Sequence, residues 1–240
     1  MARKPALTPA ATDGPPATTR ASAVHAQLRA DITHGLLEPG ARLRVEAMCQ
    51  RYGVGASPLR EALSRLSSEG LVDRIDQRGF AVAPLQWDEL PILVRNRVQL
   101  ESLALAESIA ARDTAWEEQL ALLVHHLSRT PRSLSAEQYL PNPAWEALHR
   151  QFHQALLARC PSRWLKAFCD SLAAEAYRFR QVAAGHSFSS RNEHAEHLAI
   201  FQAAIDGRSD DAIRLLAEHY LRTSALVASQ AQALGHAGHA

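Results

Sequence analysis

Cysteine, lysine and net charge are all scarce in this chain of 240 residues. Cys49, Cys160 and Cys169 form an odd set with no Cys-x-x-Cys pair. That argues against a disulfide framework and against a thiolate zinc site. Lys4 and Lys166 are the only lysines, so the basic side chains are nearly all arginine. Arginine forks suit phosphates and guanine edges better than lysine does. A net charge of +1 spreads no global basic field, so any DNA contact must come from locally placed arginines. No apolar run approaches the ~18 residues of a membrane span, and no signal peptide is visible, so a cytoplasmic protein is expected. The apolar content of 47% supports a packed core and excludes a wholly disordered chain.

The stretch that organises the rest is Ser57-Pro58-Leu59-Arg60-Glu61-Ala62-Leu63-Ser64-Arg65-Leu66, followed by Glu69-Gly70-Leu71-Val72. Ser57 is a helix cap by type, and Pro58 fits a first helical position. Leu59, Leu63 and Leu66 fall on one face, Arg60 and Arg65 off it. Gly70 suits the left-handed residue past a helix end. Alone, this is equally the pattern of a surface helix with solvated arginines; the flanks decide. Residues 1–20, rich in Ala, Pro and Thr, read as a disordered arm carrying Arg3, Lys4 and Arg20. A helix spans about 22–33, a turn follows at Glu38-Pro39-Gly40, and a short helix carries Val45, Met48 and Tyr52. Two β runs, 71–75 and 80–83, flank a turn at Asp76-Gln77-Arg78-Gly79. Three helices and a hairpin make a winged helix-turn-helix over 21–84, its wing tip able to reach a minor groove.

Residues 85–91 read as a short linker, and everything beyond is helical: 88–112, 114–129, 142–159, 162–184, 190–206 and 209–229. Thr114-x-x-Glu117 and Ser190-x-x-Glu193 look like capping boxes. Asn142-Pro143 is a cap followed by proline, and Ser162 and Ser209 are caps by type. The fold class is therefore mainly α: a winged helix-turn-helix plus an all-α bundle over 92–230, with a flexible tail at 231–240. His149 and His153, four apart, share one helical face beside Phe152 and Leu156. His197 and His219 lie on the last two helices, and facing helices of a bundle converge such side chains. Two inward histidines at this spacing are, by themselves, more often core or surface groups than ligands.

The N-terminal unit resembles the GntR family of bacterial transcription factors. The matching residues are Gly35-Leu36-Leu37-Glu38-Pro39-Gly40-x-Arg42-Leu43, Ser57-Pro58-Leu59-Arg60-Glu61-Ala62-Leu63-x-Arg65-Leu66, Glu69-Gly70-Leu71-Val72 and Arg78-Gly79-Phe80-x-Val82. The resemblance assigns DNA contact to Arg42, Ser57, Arg60, Arg65, Arg78 and Gly79. One departure stands out: Gly55-Ala56-Ser57 replaces the family's frequent Ser-Arg-Thr, so a usual DNA-contacting arginine is Ala56. The helical remainder resembles the FCD effector domain of the FadR subfamily, through Arg97-x-x-Leu100-Glu101, Phe152-His153, Glu196-His197-x-x-Ile200, and Ala212 followed by His219. In that domain's metal-binding branch, His153, His197 and His219 match three ligands. His149 stands where Asp or Asn usually does, as a fourth ligand or as a donor behind the ligands; His194 is an alternative to it. An all-nitrogen set favours zinc, nickel or copper over manganese, with zinc or nickel foremost. A carboxylate effector could then take open metal positions, and Arg97 and Arg178 are candidates to pair with a second carboxylate. His125, His126, His186, His236 and His239 read as surface residues.

The resemblance implies a homodimeric, ligand-responsive repressor on a pseudo-palindromic operator, with a small organic or sugar acid as effector. The alternatives are a sensor for which the metal is itself the signal, a metal-free regulator of acyl ligands, and a metal hydrolase. The retained histidines weigh against the metal-free form. The hydrolase reading lacks a clear general base and leaves the winged helix unexplained, so no enzyme is expected.

Overall fold

The computed structural model describes residues 19–75, 79–137, 139–183 and 191–233. The chain divides into two compact units, Met1–Asp31 with Gly40–Ala83, and Ile32–Pro39 with Pro84–Ala240. The short segment Ile32–Pro39 thus clusters with the helical unit although it lies within the sequence of the other.

In the first unit α1 (Arg20–Thr33), α2 (Val45–Tyr52) and α3 (Ala56–Ser68) surround a small sheet. Leu59, Ala62, Leu63 and Leu66 of α3 are fully buried, the i, i+3, i+4, i+7 stripe expected of an amphipathic helix. Val24 and Leu28 of α1 are buried likewise. Asp31 of α1 anchors α2, accepting from Tyr52 Oη at 2.6 Å and Arg51 Nη2 at 3.0 Å. Glu69, just beyond α3, pairs back to α1 through His25 at 2.6 Å and Arg29 at 3.2 Å. Gly70 has φ +74°, the left-handed turn-out foreseen for it.

Ser57 does not cap α3. The helix starts two residues earlier, Gly55 occupies the cap position with no side-chain bond, and Pro58 is the third helical residue. Proline is tolerated there because the N–H groups of a first turn lack helical partners anyway. The hairpin pairs β2 (Val72–Ile75) with β3 (Gly79–Val82), Ile75 opposite Gly79. A further strand, β1 (Arg42–Leu43), pairs with the other edge of β3 and makes the order β1-β3-β2. Two residues offer no alternation to read, so it escapes a sequence analysis. Gly79 opens β3 at φ +94°. Arg78 and the rest of the expected wing tip lie outside the described residues, as do Arg3, Lys4, His186, His236 and His239.

The second unit holds α4 (Leu90–Ala110), α5 (Thr114–Arg129), α6 (Pro143–Leu156), α7 (Arg163–Ala183), α8 (Glu193–Ile205) and α9 (Ser209–Ala233). A single 3-10 turn, Trp87–Glu89, leads into α4. α9 packs on α4, α7 and α8, and α5 on α6 and α8. Leu105, Leu120, Phe152, Leu156 and Leu216 fill the core, and Trp116 donates from its indole to Ala155 O at 2.7 Å. Asn142 caps α6 as expected, accepting from Ala144 N at 3.0 Å, and Ser162 Oγ accepts from Leu165 N at 3.1 Å. Two caps differ from the expected boxes. Asp113, not Thr114, caps α5 through Trp116 N at 2.9 Å, and Asn192 caps α8 through Ala195 N at 3.1 Å. A carboxylate or amide reaches the free N–H groups as well as a hydroxyl does, so adjacent candidates compete. Ser190 lies outside the described residues. Among the described residues, no helix is long and apolar enough to cross a membrane.

Candidate metal centre

α6 carries His149 and His153 one turn apart; its apolar neighbours Phe152, Ala155 and Leu156 are buried, so that face turns into the unit. Ala203 and Ala204 of α8 and Ala212 of α9 are fully buried, small enough to let the two helices approach closely. Together these helices bring His149, His153, His197 and His219 into one group whose ligand atoms all lie within 4.8 Å of one another. Ring centroids are 4.6 Å apart for His149 and His153, and 4.7 Å for His197 and His219. His153 Nε2 and His149 Nε2 are 3.2 Å apart. Two nitrogens on a tetrahedral metal, each at ~2.0–2.1 Å, would stand roughly 3.3–3.4 Å apart.

A second layer fixes the rings. Tyr220 Oη donates its one proton to Glu101 and lies 3.0 Å from His153 Nδ1, so it accepts from an Nδ1–H. The lone pair of His153 is then on Nε2, facing the centre. Arg97 closes this chain, donating from Nε to Glu101 at 2.6 Å with its guanidinium 3.9 Å from the Tyr220 ring centroid. His219 Nδ1 lies 2.9 Å from Glu196 Oε2, and Glu196 also accepts from Arg191 Nε at 2.7 Å. His149 stacks on Trp145, centroids 4.7 Å apart and planes 13° apart. His197 Nε2 is buried without a hydrogen-bond partner among the described residues. A buried, orphaned imidazole nitrogen amid three others is what a metal ligand looks like before the metal is considered.

The electrostatics agree. Burial, with the neighbouring histidines and arginines adding to it, holds His149, His153 and His197 well below the ordinary imidazole value. Burial also lowers His219, to about 4, against the opposing pull of Glu196. Burial works to raise the Glu196 carboxyl, but its bonds from Arg191 and His219 outweigh that and lower it. The centre is thus four neutral imidazoles near pH 7, the form that binds metals without first expelling protons. These residues can hold a metal ion.

His194 is exposed and outside the group; His125 and His126 are exposed. Arg97 lies behind His153 as described, whereas Arg178 is buried and pairs with Glu175 of its own helix at 3.4 Å. Arg180, missed in the sequence, sits nearer the centre: it clasps Glu146 with both terminal nitrogens, Nη1 at 2.9 Å. Glu101, Glu146 and Tyr220 were also missed as members of the second layer. Glu101 did stand in the Arg97-x-x-Leu100-Glu101 match, and Tyr220 stood next to His219. In the first unit, Arg42, Ser57, Arg60, Arg65 and Gly79 are all exposed, with Arg65 Nη1 3.4 Å from Ser22 Oγ.

A winged helix-turn-helix followed by a helical bundle with a buried histidine centre defines a helix-turn-helix transcriptional regulator rather than an enzyme. The profile of the bacterial regulatory proteins of the gntR family matches residues 20–82, and that of the FCD domain matches residues 93–222. The chain belongs to the GntR family and carries an FCD effector-binding domain. It is 37% identical over 194 residues to the HTH-type transcriptional regulator BphR of Paraburkholderia xenovorans, covering 80% of this chain and 79% of that one. It is 30% identical over 198 residues to the HTH-type transcriptional repressor GlaR of Escherichia coli, covering 81% and 89%. Its fold is similar to that of E. coli McbR/YncC, with a TM-score of 0.71 at 21% identity over 88% of this chain and 97% of that one.

Proposed function

We propose that this regulator is a cytoplasmic, homodimeric repressor. Its winged helix-turn-helix reads a pseudo-palindromic operator, and its helical unit binds a small organic or sugar acid through a divalent metal. His149, His153, His197 and His219 would hold the metal, zinc or nickel by donor type. The carrying observation is the convergence of four neutral imidazoles, three buried and His149 half-buried, with two of them anchored at Nδ1. A bound metal would supply a Lewis-acidic point for a carboxylate. The residues of the chain do the rest: Tyr220 and Glu196 orient the rings, and the bundle excludes water. In the reading head, Arg42, Ser57, Arg60, Arg65, Arg78 and Gly79 would contact DNA. Arg60 and Arg65 project from the exposed side of α3, the helix that would enter a major groove.

The test starts with an operator selected in vitro from random duplexes, followed by affinity measurements on stripped and metal-loaded protein with a panel of acids. One metal per chain is expected, lost in His153→Ala and His197→Ala. Acid should change operator affinity several-fold to ~100-fold only in loaded protein. Identical affinity in every metal and acid state refutes the proposal. One observation favours a second reading: four nitrogens suffice to complete tetrahedral zinc. In that case the metal alone is the signal and switches operator affinity without any acid.

A further inference from the structure

α7 packs on α4 and α9, and its Cys169, Phe179 and Ala183 are buried in the unit. Its opposite face holds Trp164 and Phe168, one turn apart and 66% and 63% exposed. Among the described residues no other aromatic side chain stands so far in water. Leu172, half-buried, continues the same i, i+4, i+8 ridge. Ridges of that spacing are what one helix presses into the grooves of another. The remaining large exposed apolar side chains are aliphatic, and single ones are ordinary on a surface. Neighbouring aromatics are the residue types that anchor protein interfaces.

The face is polarised along its length. At the Trp164 end the Arg163 guanidinium carbon lies 4.1 Å from the indole ring centroid, a cation held against the apolar surface. Glu175 falls about three turns further along, on the same side of the helix, and is 41% exposed although 3.4 Å from Arg178. Asp170 is turned instead to α6, accepting from Gln154 at 3.3 Å. A partner surface of one sign, such as a phosphate backbone, would suit one end and repel the other. A second α7 laid antiparallel suits both, because each Arg163 then faces the partner's Glu175 and the two Phe168 rings meet near a two-fold axis. Such an isologous contact closes on itself. The size also fits. Aromatic side chains bury 150–250 Å² each, so the exposed parts of Trp164 and Phe168 amount to roughly 200–300 Å² per chain. A stable interface buries about 800 Å² per partner, of which this pair would be the apolar centre.

We infer that this face of α7 is where two copies of the chain meet, antiparallel, with Trp164 and Phe168 at the centre and Arg163 opposite the partner's Glu175. The inference rests on the homodimeric reading above and adds its residues and symmetry. Sedimentation velocity of the full chain over a dilution series tests it by giving the dimer dissociation constant. Trp164→Ser and Phe168→Ser should each raise that constant ~10–100-fold with helix content unchanged. If the serine variants fold poorly, Arg163→Glu carries the test: it should weaken the dimer ~10-fold, and adding Glu175→Gln should recover most of the loss. The two residues stand three turns apart within one chain, so that coupling arises only across the two-fold. A dissociation constant unchanged within about threefold in the serine variants overturns the inference while the homodimeric reading stands. Loss in Arg163→Glu without recovery in the double variant overturns the antiparallel arrangement. A parent chain that stays monomeric at every attainable concentration overturns both readings and leaves the aromatic face to a different protein.

Discussion

Replacing Tyr220 by Phe removes one oxygen and tests the logic of the histidine centre. Tyr220 is 4% exposed, and its hydroxyl is the acceptor that holds His153 Nδ1–H at 3.0 Å while its own proton goes to Glu101. In the variant Glu101 keeps Arg97, so no carboxylate is orphaned. The His153 Nδ1–H is left buried and without an acceptor, which costs about 1–3 kcal/mol of folding stability. The ring also loses the bond that selects its tautomer and aim. Loss of such an outer partner typically weakens metal binding ~10–100-fold, equivalent to about 1.4–2.7 kcal/mol. Metal affinity is read by competition against a chromophoric chelator at pH 7.5, and stability by denaturant unfolding of the metal-free protein. A purely structural role would move the unfolding midpoint and leave the chelator competition alone. Metal affinity within twofold of the parent protein would mean that His153 does not bind through Nε2 held by this chain of bonds.

Three further outcomes are expected. His149→Asp should narrow the gap between manganese and the nickel and zinc affinities, because a carboxylate is a harder donor than imidazole; unchanged relative affinities for manganese, nickel and zinc reject His149 as a ligand. The metal-free protein should lose stability as pH falls below about 6.5, the unfolded imidazole value, and continue losing it down to about 4, where His219 protonates in the fold. Above that window neither state is protonated. Within it the unfolded chain takes up protons that the fold refuses, at up to about 1.4 kcal/mol per histidine per pH unit; a flat urea midpoint from pH 7 to 5 contradicts this. Arg60→Ala should weaken operator binding, with a salt slope smaller by about one if Arg60 meets a phosphate, or with relaxed preference at one base pair if it reads an edge.

The helices were legible because their ends carry local chemistry: Asn142-Pro143, Ser162 and Gly70 all act within a few residues of where they stand. The errors were local too. Asp113 and Thr114 are adjacent caps by type, and only the fold chooses between them. β1 exists because Arg42 and Leu43 meet β3 some forty residues on, and nothing in two residues announces it. The histidines were legible through a family pattern, not through spacing alone, since His149 and His219 come from separate helices. What surrounds them was not. Tyr220 and Glu101 are 119 positions apart, and Glu146 and Arg180 are 34 apart. Pairs of that kind follow from helix packing, and a sequence lists the charges without saying which will meet.

The backbone passes between the two units at Asp31–Ile32, Pro39–Gly40 and Ala83–Pro84. The reading head is therefore not a bead on a string that can be clipped off after Ala83. A peptide ending there would carry Ile32–Pro39 away from the helical unit with which it clusters. A piece beginning at Pro84 would be short of the same eight-residue patch. Grafting this effector half onto another regulator's head means matching three seams instead of one. Chimeras joined only near Pro84 should then be less stable than either parent, even when both halves are native.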